Sequence, residues 1–160
     1  MTASFFNSAK QSITIFTDGS CHAQLKTGGW ASIIIIDSHK TVLQGSTLKT
    51  THQRMELTAV LEALRYLQRD GMIEQEISVY SDSQYVVDLL KRKDRLMSSN
   101  YQTKKFKPIR NPDLVKELIG FMNLPNIRFV KVKSHQRLTD IESKLNREVD
   151  VLSRKNMRCL

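Results

Sequence analysis

The chain has 160 residues, 40% of them hydrophobic and 26% charged, which is the composition of one soluble globular domain with a real core. Its 25 lysines and arginines exceed its 16 aspartates and glutamates, so the formal net charge is +9 and a polyanionic partner such as nucleic acid is expected. The longest aliphatic run, residues 33–36, is too short to cross a bilayer. The sequence shows no basic amphipathic helix with an aromatic face, so an anionic membrane surface is a less favoured partner than nucleic acid.

Cysteine usage and the amino terminus indicate an intracellular protein. Cys21 and Cys159 are the only cysteines, so neither a disulfide framework nor a zinc site is expected. Residues 1–11 lack the apolar stretch of a signal peptide, and we expect a short disordered lead-in followed by one domain over residues 12–160. We therefore expect a cytoplasmic, nucleoid-associated or nuclear monomer that is not secreted and uses no small-molecule cofactor.

Three β-strands are predicted at the start of the domain. Residues 13–20, ITIFTDGS, form a β-branched run that stops at an aspartate and a glycine, so this strand carries the Asp18 carboxylate at its end. Residues 30–37, WASIIIID, indicate a buried strand, and residues 41–49 return as a third strand. The short connections predict an antiparallel meander.

A long helix and a fourth strand follow the meander. Residues 53–70 carry apolar side chains at helical spacing, and Gly71 provides a stop signal. Residues 76–81 indicate a strand that ends at Asp82. The strand–helix–strand order implies a parallel pairing with the first strand, which brings Asp18 and Asp82 to the same edge of the sheet.

The remaining elements complete an α/β fold. We predict helices over residues 84–93, 112–123 and 145–155, a fifth strand over residues 126–132, a polar loop over residues 134–144 and a helix cap at Asn111. The sheet is then a five-stranded mixed sheet, made of a three-stranded antiparallel meander plus two parallel strands and flanked by helices.

Four acidic residues are placed to share one site. Asp18 and Asp82 end two strands, while Glu56 and Asp150 lie on helices beside apolar stripes. Taken singly, Glu56 is better explained as an acid that complements the helix dipole, and Asp150 as an unremarkable exposed acid. Clustered carboxylates repel one another unless a cation neutralises them, and oxygen ligands suit Mg²⁺ or Mn²⁺. In a basic protein, such a cluster favours two-metal phosphodiester cleavage.

Four segments, in this order, resemble the ribonuclease H type 1 family. They are TDGS at residues 17–20, TTHQRMEL at 50–57, YSDSQYV at 80–86 and NREVD at 146–150. The resemblance covers roughly residues 13–152 and implies the ribonuclease H-like fold. It implies cleavage of the RNA strand of RNA/DNA hybrids to 5′-phosphate products, with two Mg²⁺ ions, replaceable by Mn²⁺, held by Asp18, Glu56, Asp82 and Asp150.

The same resemblance implies that His135, in the sequence VKSHQ, is a mobile catalytic histidine that assists proton transfer or product release. Taken alone, a single loop histidine is more often a solvated side chain. The family usually has a short, glycine-containing stretch between this histidine and the asparagine of the last helix. Here ten residues without glycine separate His135 from Asn146, so the loop is longer and more charged.

The resemblance further implies contacts to both strands of the hybrid. A protein tells RNA from DNA by the 2′-hydroxyl, and the residues implied on the RNA side are Gly19, Ser20, Cys21, Gln24, His52, Gln53, Gln84 and Asn146. A phosphate of the DNA strand is implied to contact Thr51, Asn111 and Lys49. Helix capping explains His52, Gln53 and Asn111 equally well.

A basic run over residues 91–110 contains eight lysines and arginines against one acid, Asp94. It resembles the family's basic protrusion, which binds the substrate backbone, and its implied contacts are Lys104, Lys105 and Lys107. The tryptophans often found in that protrusion are missing, so binding is expected to be mostly ionic.

Three other interpretations stay open. One is a DNA-acting integrase, transposase or resolvase of the same fold, which the TTHQRMEL and DSQ segments disfavour. Another is a ribonuclease H domain cut from a retroelement or viral polyprotein, with the same chemistry. The last is a catalytically silent nucleic-acid-binding module, which the presence of all four acids disfavours.

Overall fold

The computed structural model describes residues 9–133 and 140–159 and contains a five-stranded mixed sheet with the strand order β3-β2-β1-β4-β5. The strands are β1 (Ser12–Cys21), β2 (Gly28–Ile36), β3 (His39–Thr47), β4 (Glu76–Ser81) and β5 (Ile127–Lys131). Strand β1 is central, because it pairs antiparallel with β2 and parallel with β4. The predicted fold class, an antiparallel meander plus two parallel strands, is confirmed.

The helices are α1 (His52–Arg69), α2 (Gln84–Ser98), α3 (Pro112–Met122) and α4 (Ile141–Arg158). Helix α1 begins at a cap in which the Thr51 hydroxyl accepts a hydrogen bond from the Arg54 amide. It ends before Gly71, whose φ of 70° lies in the left-handed region that glycine adopts without strain. In the described ranges, no helix is long and apolar enough to cross a membrane.

Strand β1 is longer than the sequence predicts. Its parallel pairing with β4 ends at Thr17, as expected for a strand that delivers Asp18 to the edge of that pairing. Its antiparallel pairing with β2, however, continues to Cys21. Gly19 therefore does not end the strand, because β2 still supplies hydrogen-bonding partners there.

Two helices also extend beyond their predicted bounds. Helix α2 runs to Ser98, because Leu96 is buried and continues its apolar face past residue 93. Helix α4 begins at Ile141, inside the predicted polar loop, because the Asp140 side chain accepts a hydrogen bond from the Ser143 amide and caps it.

Side chains of β1 alternate between two packed faces. Ile13 and Ile15 belong to the larger apolar cluster, which includes buried residues of α1, α2 and α3. Phe16 faces the opposite side and packs in a smaller cluster with Val149 of α4. Because successive strand residues point to opposite faces, Asp18 continues the face of Phe16, toward α4.

Two glycines allow helix backbones to approach the sheet closely. A β-carbon built at Gly19 would lie 2.3 Å from the Glu56 amide nitrogen of α1. One built at Gly29 would lie 2.2 Å from the Ser153 carbonyl oxygen and 2.3 Å from the Met157 nitrogen of α4. Since these neighbours are backbone atoms, any larger residue must displace a helix, and both displaced helices carry site residues.

We therefore predict that Gly29→Ala destabilises the fold by about 1–3 kcal/mol, since the added methyl group overlaps the α4 backbone. The measurement is urea unfolding followed by circular dichroism. The control is Gly120→Ala on α3, where an added methyl group meets no atom within 4 Å. That substitution should stabilise by about 0.5–1 kcal/mol. Equal effects of the two changes would contradict the close-approach explanation.

Candidate active site

Asp18 lies on β1 just beyond its last pairing with β4, and its side chain points toward α4. It is only 8% exposed, and the Ser153 hydroxyl donates a 2.5 Å hydrogen bond to its Oδ2 atom. Burial raises the pKa of Asp18 to about 7; the Ser153 hydrogen bond opposes this rise, while Asp82, Asp150 and Glu56 add to it. Asp18 is thus the acid whose ionisation the fold most disfavours.

Glu56 lies on α1, next to the Met55 backbone that rests on Gly19. Its two oxygens have different partners, because Oε2 accepts a 2.6 Å hydrogen bond from the Ser83 hydroxyl and Oε1 lies 2.9 Å from His52 Nε2. The hydrogen bond to Glu56 is the main cause that raises the pKa of His52. Glu56 is therefore buried, and Ser83 and His52 orient its carboxylate and partly compensate its charge.

Asp82 and Asp150 complete the acidic group from two further elements. Asp82 follows β4 and precedes Ser83, the cap of α2. Burial, then Glu56 and Asp150, raise the pKa of Asp82. Asp150, on α4, pairs with Arg154 one turn later at 2.9 Å. Four separate elements thus bring the four predicted acids within electrostatic reach of one another.

The donor set suits a hard divalent cation. All four side chains offer carboxylate oxygens, which Mg²⁺ and Mn²⁺ prefer. Burial and then repulsion by neighbouring acids raise the pKa values of Asp18 and Asp82, and a cation would relieve the repulsion. Within residues 9–133 and 140–159, however, no three His, Cys, Asp or Glu side chains already form a metal-binding group. Counting only partners in these two ranges, each acid except Asp82 is held by a side chain: Ser153 holds Asp18, Ser83 and His52 hold Glu56, and Arg154 holds Asp150.

Two buried serines of the site were not predicted from the sequence. Ser83 caps α2 and donates a hydrogen bond to Glu56, and Ser153 donates a hydrogen bond to Asp18. The available signals were weak: Ser83 directly follows Asp82, and Ser153 lies three residues after Asp150, on the same face of a helix.

A cleft between the amino termini of α1 and α3 collects several predicted substrate contacts. It is lined by Thr51, His52, Gln53, Arg110 and Asn111. The predicted phosphate pair, Thr51 and Asn111, therefore lies in one cleft with two predicted contacts to the RNA strand. Arg110 belonged to the predicted basic run but not to the predicted contacts, and the cleft adds it to the candidate binding residues.

Asn111 occupies the cap position of α3, but its side chain does not cap the helix. Its backbone is left-handed, with φ of 50°, and its Oδ1 atom instead accepts a 3.4 Å hydrogen bond from Arg54 of α1. Arg54 also donates two hydrogen bonds to Asp113, at 2.6 and 3.1 Å. This guanidinium holds the amino terminus of α3 against that of α1.

The remaining predicted contacts differ in their exposure to solvent. Gly19 is covered by α1, and the Ser20 hydroxyl lies 2.8 Å from that of Ser153, so both are buried. Their roles, and those of the half-buried Cys21 and Asn146 and the exposed Gln24, Lys49 and Gln84, stay predictions. His135 lies outside the described residues.

The basic run continues beyond α2 as a folded loop. Gln102 and Pro108 form an isolated β-bridge, and Lys104, Lys105 and Lys107 are exposed. Phe106 is 83% exposed and offers an open ring, whereas the Tyr101 ring has the Lys116 amine 5.7 Å from its centre. The loop therefore presents three lysines and one free aromatic side chain to solvent.

Comparisons with known proteins agree with this geometry. The family model for RNase H matches residues 10–158. The chain is 34% identical over 144 residues to a ribonuclease H of Caldicellulosiruptor saccharolyticus, an alignment that covers 89% of this chain and 93% of that protein.

Two solved structures share the fold. LC9-RNase H1, described as a type 1 RNase H with the type 2 active-site motif, matches with a TM-score of 0.79 at 20% identity and covers 94% of this chain and 74% of that one. LC11-RNase H1, solved in complex with RNA/DNA hybrid, matches with a TM-score of 0.62 at 21% identity. The match covers 92% of this chain and 97% of that one.

The raised pKa of Asp18 predicts that the charged Asp18 side chain destabilises the fold, and that this destabilisation depends on pH. The pKa rises from 3.8 to about 7 on folding, so the folded chain binds the proton more tightly and loses stability as the pH rises through this window. In EDTA at pH 8, Asp18→Asn should therefore raise the free energy of unfolding, by an amount on the order of 2–4 kcal/mol. The gain should shrink toward pH 4.

Thermal and urea unfolding at pH 5 and pH 8 measure this difference. The control is Asp94→Asn on α2, because Asp94 is an exposed acid away from the cluster. Its effect should be small at both pH values. A destabilised Asp18→Asn at pH 8 would show that the Asp18 charge is not the cost we infer.

Proposed function

Because the chain belongs to the ribonuclease H family of hydrolytic nucleases, we propose that it cuts the RNA strand of RNA/DNA hybrids by two-metal hydrolysis, leaving 5′-phosphate products. The observation that carries this proposal is the electrostatic coupling of Asp18, Glu56, Asp82 and Asp150 around a buried carboxylate. The hybrid bound to LC11-RNase H1, whose fold this chain shares, supports the choice of substrate.

The four acids would hold two Mg²⁺ ions, or Mn²⁺ in their place. When bound, the ions supply an activated water and a positive charge at the leaving oxygen. The chain's own part is to hold the carboxylates in place, with Ser153 on Asp18 and Ser83 on Glu56. His52 shares a hydrogen bond with Glu56, so a side chain predicted to contact RNA is tied directly to one of these acids.

The substrate is held by groups outside the acidic cluster. The amino termini of α1 and α3 meet at the cleft of Thr51 and Asn111, where helix dipoles and Arg110 favour a phosphate of the DNA strand. The lysines of the loop after α2 neutralise further phosphates. His135 is proposed to assist proton transfer or product release.

We further propose a monomer with a single domain over residues 12–160, which acts in the cytoplasm or in association with the nucleoid or nucleus. The basic net charge of +9 would attract the hybrid, while the local group of acids would confine the reaction to one place.

One experiment tests the function. The protein is incubated with labelled RNA/DNA hybrid, double-stranded DNA and double-stranded RNA, each with Mg²⁺ or EDTA, and we expect Mg²⁺-dependent cutting of RNA in the hybrid alone. Asp18→Asn should abolish cleavage and leave hybrid affinity largely intact. Cutting of DNA would favour an integrase or resolvase, and binding without cutting would favour a silent module; either result overturns the proposal.

A second prediction concerns the loop after α2. Replacing Lys104, Lys105 and Lys107 with Ala should weaken hybrid binding, because fewer phosphates are neutralised. The slope of log Kd against log salt should fall by about 1 for each phosphate that the loop no longer neutralises. Fluorescence anisotropy at several salt concentrations measures the slope.

The matched control removes three positive charges from elsewhere in the domain. Lys10, Lys40 and Arg69 are exposed and lie before β1, near the start of β3 and at the end of α1. Their replacement with Ala changes the net charge equally but should leave the salt slope almost unchanged. Identical slopes for the two triple variants would show that net charge, and not the loop, governs binding.

A further inference from the structure

We propose that Ser153 is a positioning residue for Asp18, because its buried hydroxyl occupies one carboxylate oxygen and leaves the other for a divalent cation. The inference rests on the proposed metal-dependent function and adds a residue that lies outside the four acids. It concerns how the chain prepares Asp18 before any nucleic acid is bound.

The Ser153 hydroxyl lies at a junction between β1 and α4. Its Oγ atom is 2.5 Å from Asp18 Oδ2, 2.8 Å from Ser20 Oγ and 3.0 Å from the Asp150 carbonyl oxygen. Ser153 is 0% exposed, so water does not compete for these contacts. In the described part of the chain, no other side chain donates a hydrogen bond to Asp18.

Counting protons assigns the direction of these bonds. A carboxylate that binds a cation is ionised and only accepts, as does the Asp150 carbonyl oxygen. The single Ser153 proton goes to Asp18 Oδ2, because this acceptor is charged and lies at 2.5 Å, against 3.0 Å for the carbonyl oxygen. Ser20 then donates its own proton to Ser153 Oγ, which gives a chain of two hydroxyls ending on Asp18. The Oδ1 atom of Asp18 remains without a side-chain donor among the described residues.

The backbone of α4 packs closely on the sheet at Ser153. The Ser153 carbonyl rests on Gly29, where even a β-carbon would lie 2.2 Å away. This contact sets how closely the Ser153 backbone, and with it α4, approaches the sheet, and α4 also carries Asp150. Ser153 thus couples the orientation of Asp18 to the placement of the acid on the last helix.

A second buried serine, Ser32, provides a control that distinguishes an effect on Asp18 from a general loss of packing. Ser32 on β2 is also 0% exposed, and its hydroxyl donates a 2.5 Å hydrogen bond, but to the Ala59 carbonyl oxygen and not to a carboxylate. Ser153→Ala and Ser32→Ala remove the same atom from equally buried sites. The two variants should lose similar stability, and only the first should change cation binding.

The test is a Mg²⁺ titration of the full chain without nucleic acid, followed by backbone amide NMR shifts. We expect Ser153→Ala to raise the Kd for Mg²⁺ by about 10-fold or more, the range found when groups that orient metal ligands are removed. Ser32→Ala should keep it within about twofold. Ser153→Cys, which replaces the hydroxyl with a somewhat larger thiol that donates poorly, should weaken Mg²⁺ binding as well.

Kinetics give a second readout. At limiting Mg²⁺ the kcat of Ser153→Ala on hybrid should fall, and saturating Mg²⁺ should restore much of it, while KM for the hybrid stays near the wild-type value. A packing role alone would not produce rescue by the cation.

The outcomes separate the inference from the proposed function. A Kd for Ser153→Ala within twofold of wild type, or an equal loss for Ser32→Ala, overturns the role of Ser153 while cleavage by the wild type still stands. A wild-type chain that neither binds Mg²⁺ nor cuts hybrid overturns both.

Discussion

Burying the Asp18 carboxylate costs free energy, since removal from water and three neighbouring acids all disfavour its charge. The structure offsets this cost locally with the Ser153 hydroxyl, which opposes the rise in pKa. The rest of the site follows from the same constraint, because acids that repel one another stay together only when the surrounding elements hold them. A natural protein accepts such a cost where function requires it.

The elements that hold the acids do so through the core. Gly19 seats α1 beside β1, and Gly29 seats α4 on β2, so backbone contacts set where Glu56 and Asp150 lie relative to Asp18. The apolar clusters on the two faces of the sheet then keep these helices in place. Catalytic geometry and fold stability therefore depend on the same close contacts, and a substitution at either glycine affects both.

The groups that would attract nucleic acid lie in different places from the acids that would hold the metal ions. The net charge of +9 favours a polyanion, yet the acidic group by itself repels phosphate. Positive and polar groups lie around that group, in the Thr51–Asn111 cleft and on the loop after α2. A bound cation would join the two regions, because it neutralises the acids and attracts the scissile phosphate.

Most of the fold, and the proximity of the four acids, could be predicted from the sequence because they depend on local signals. β-Branched runs predict strands, helical spacing predicts α1, and the acids stand beside those patterns in the chain. Tertiary structure alone decided that β1 continues past Gly19, that Asn111 turns from its helix toward Arg54, and that Ser153 meets Asp18 across 135 positions of the chain. Sequence pattern encodes what a residue does within its own element, whereas a hydrogen bond between distant elements exists only after packing has brought their backbones together.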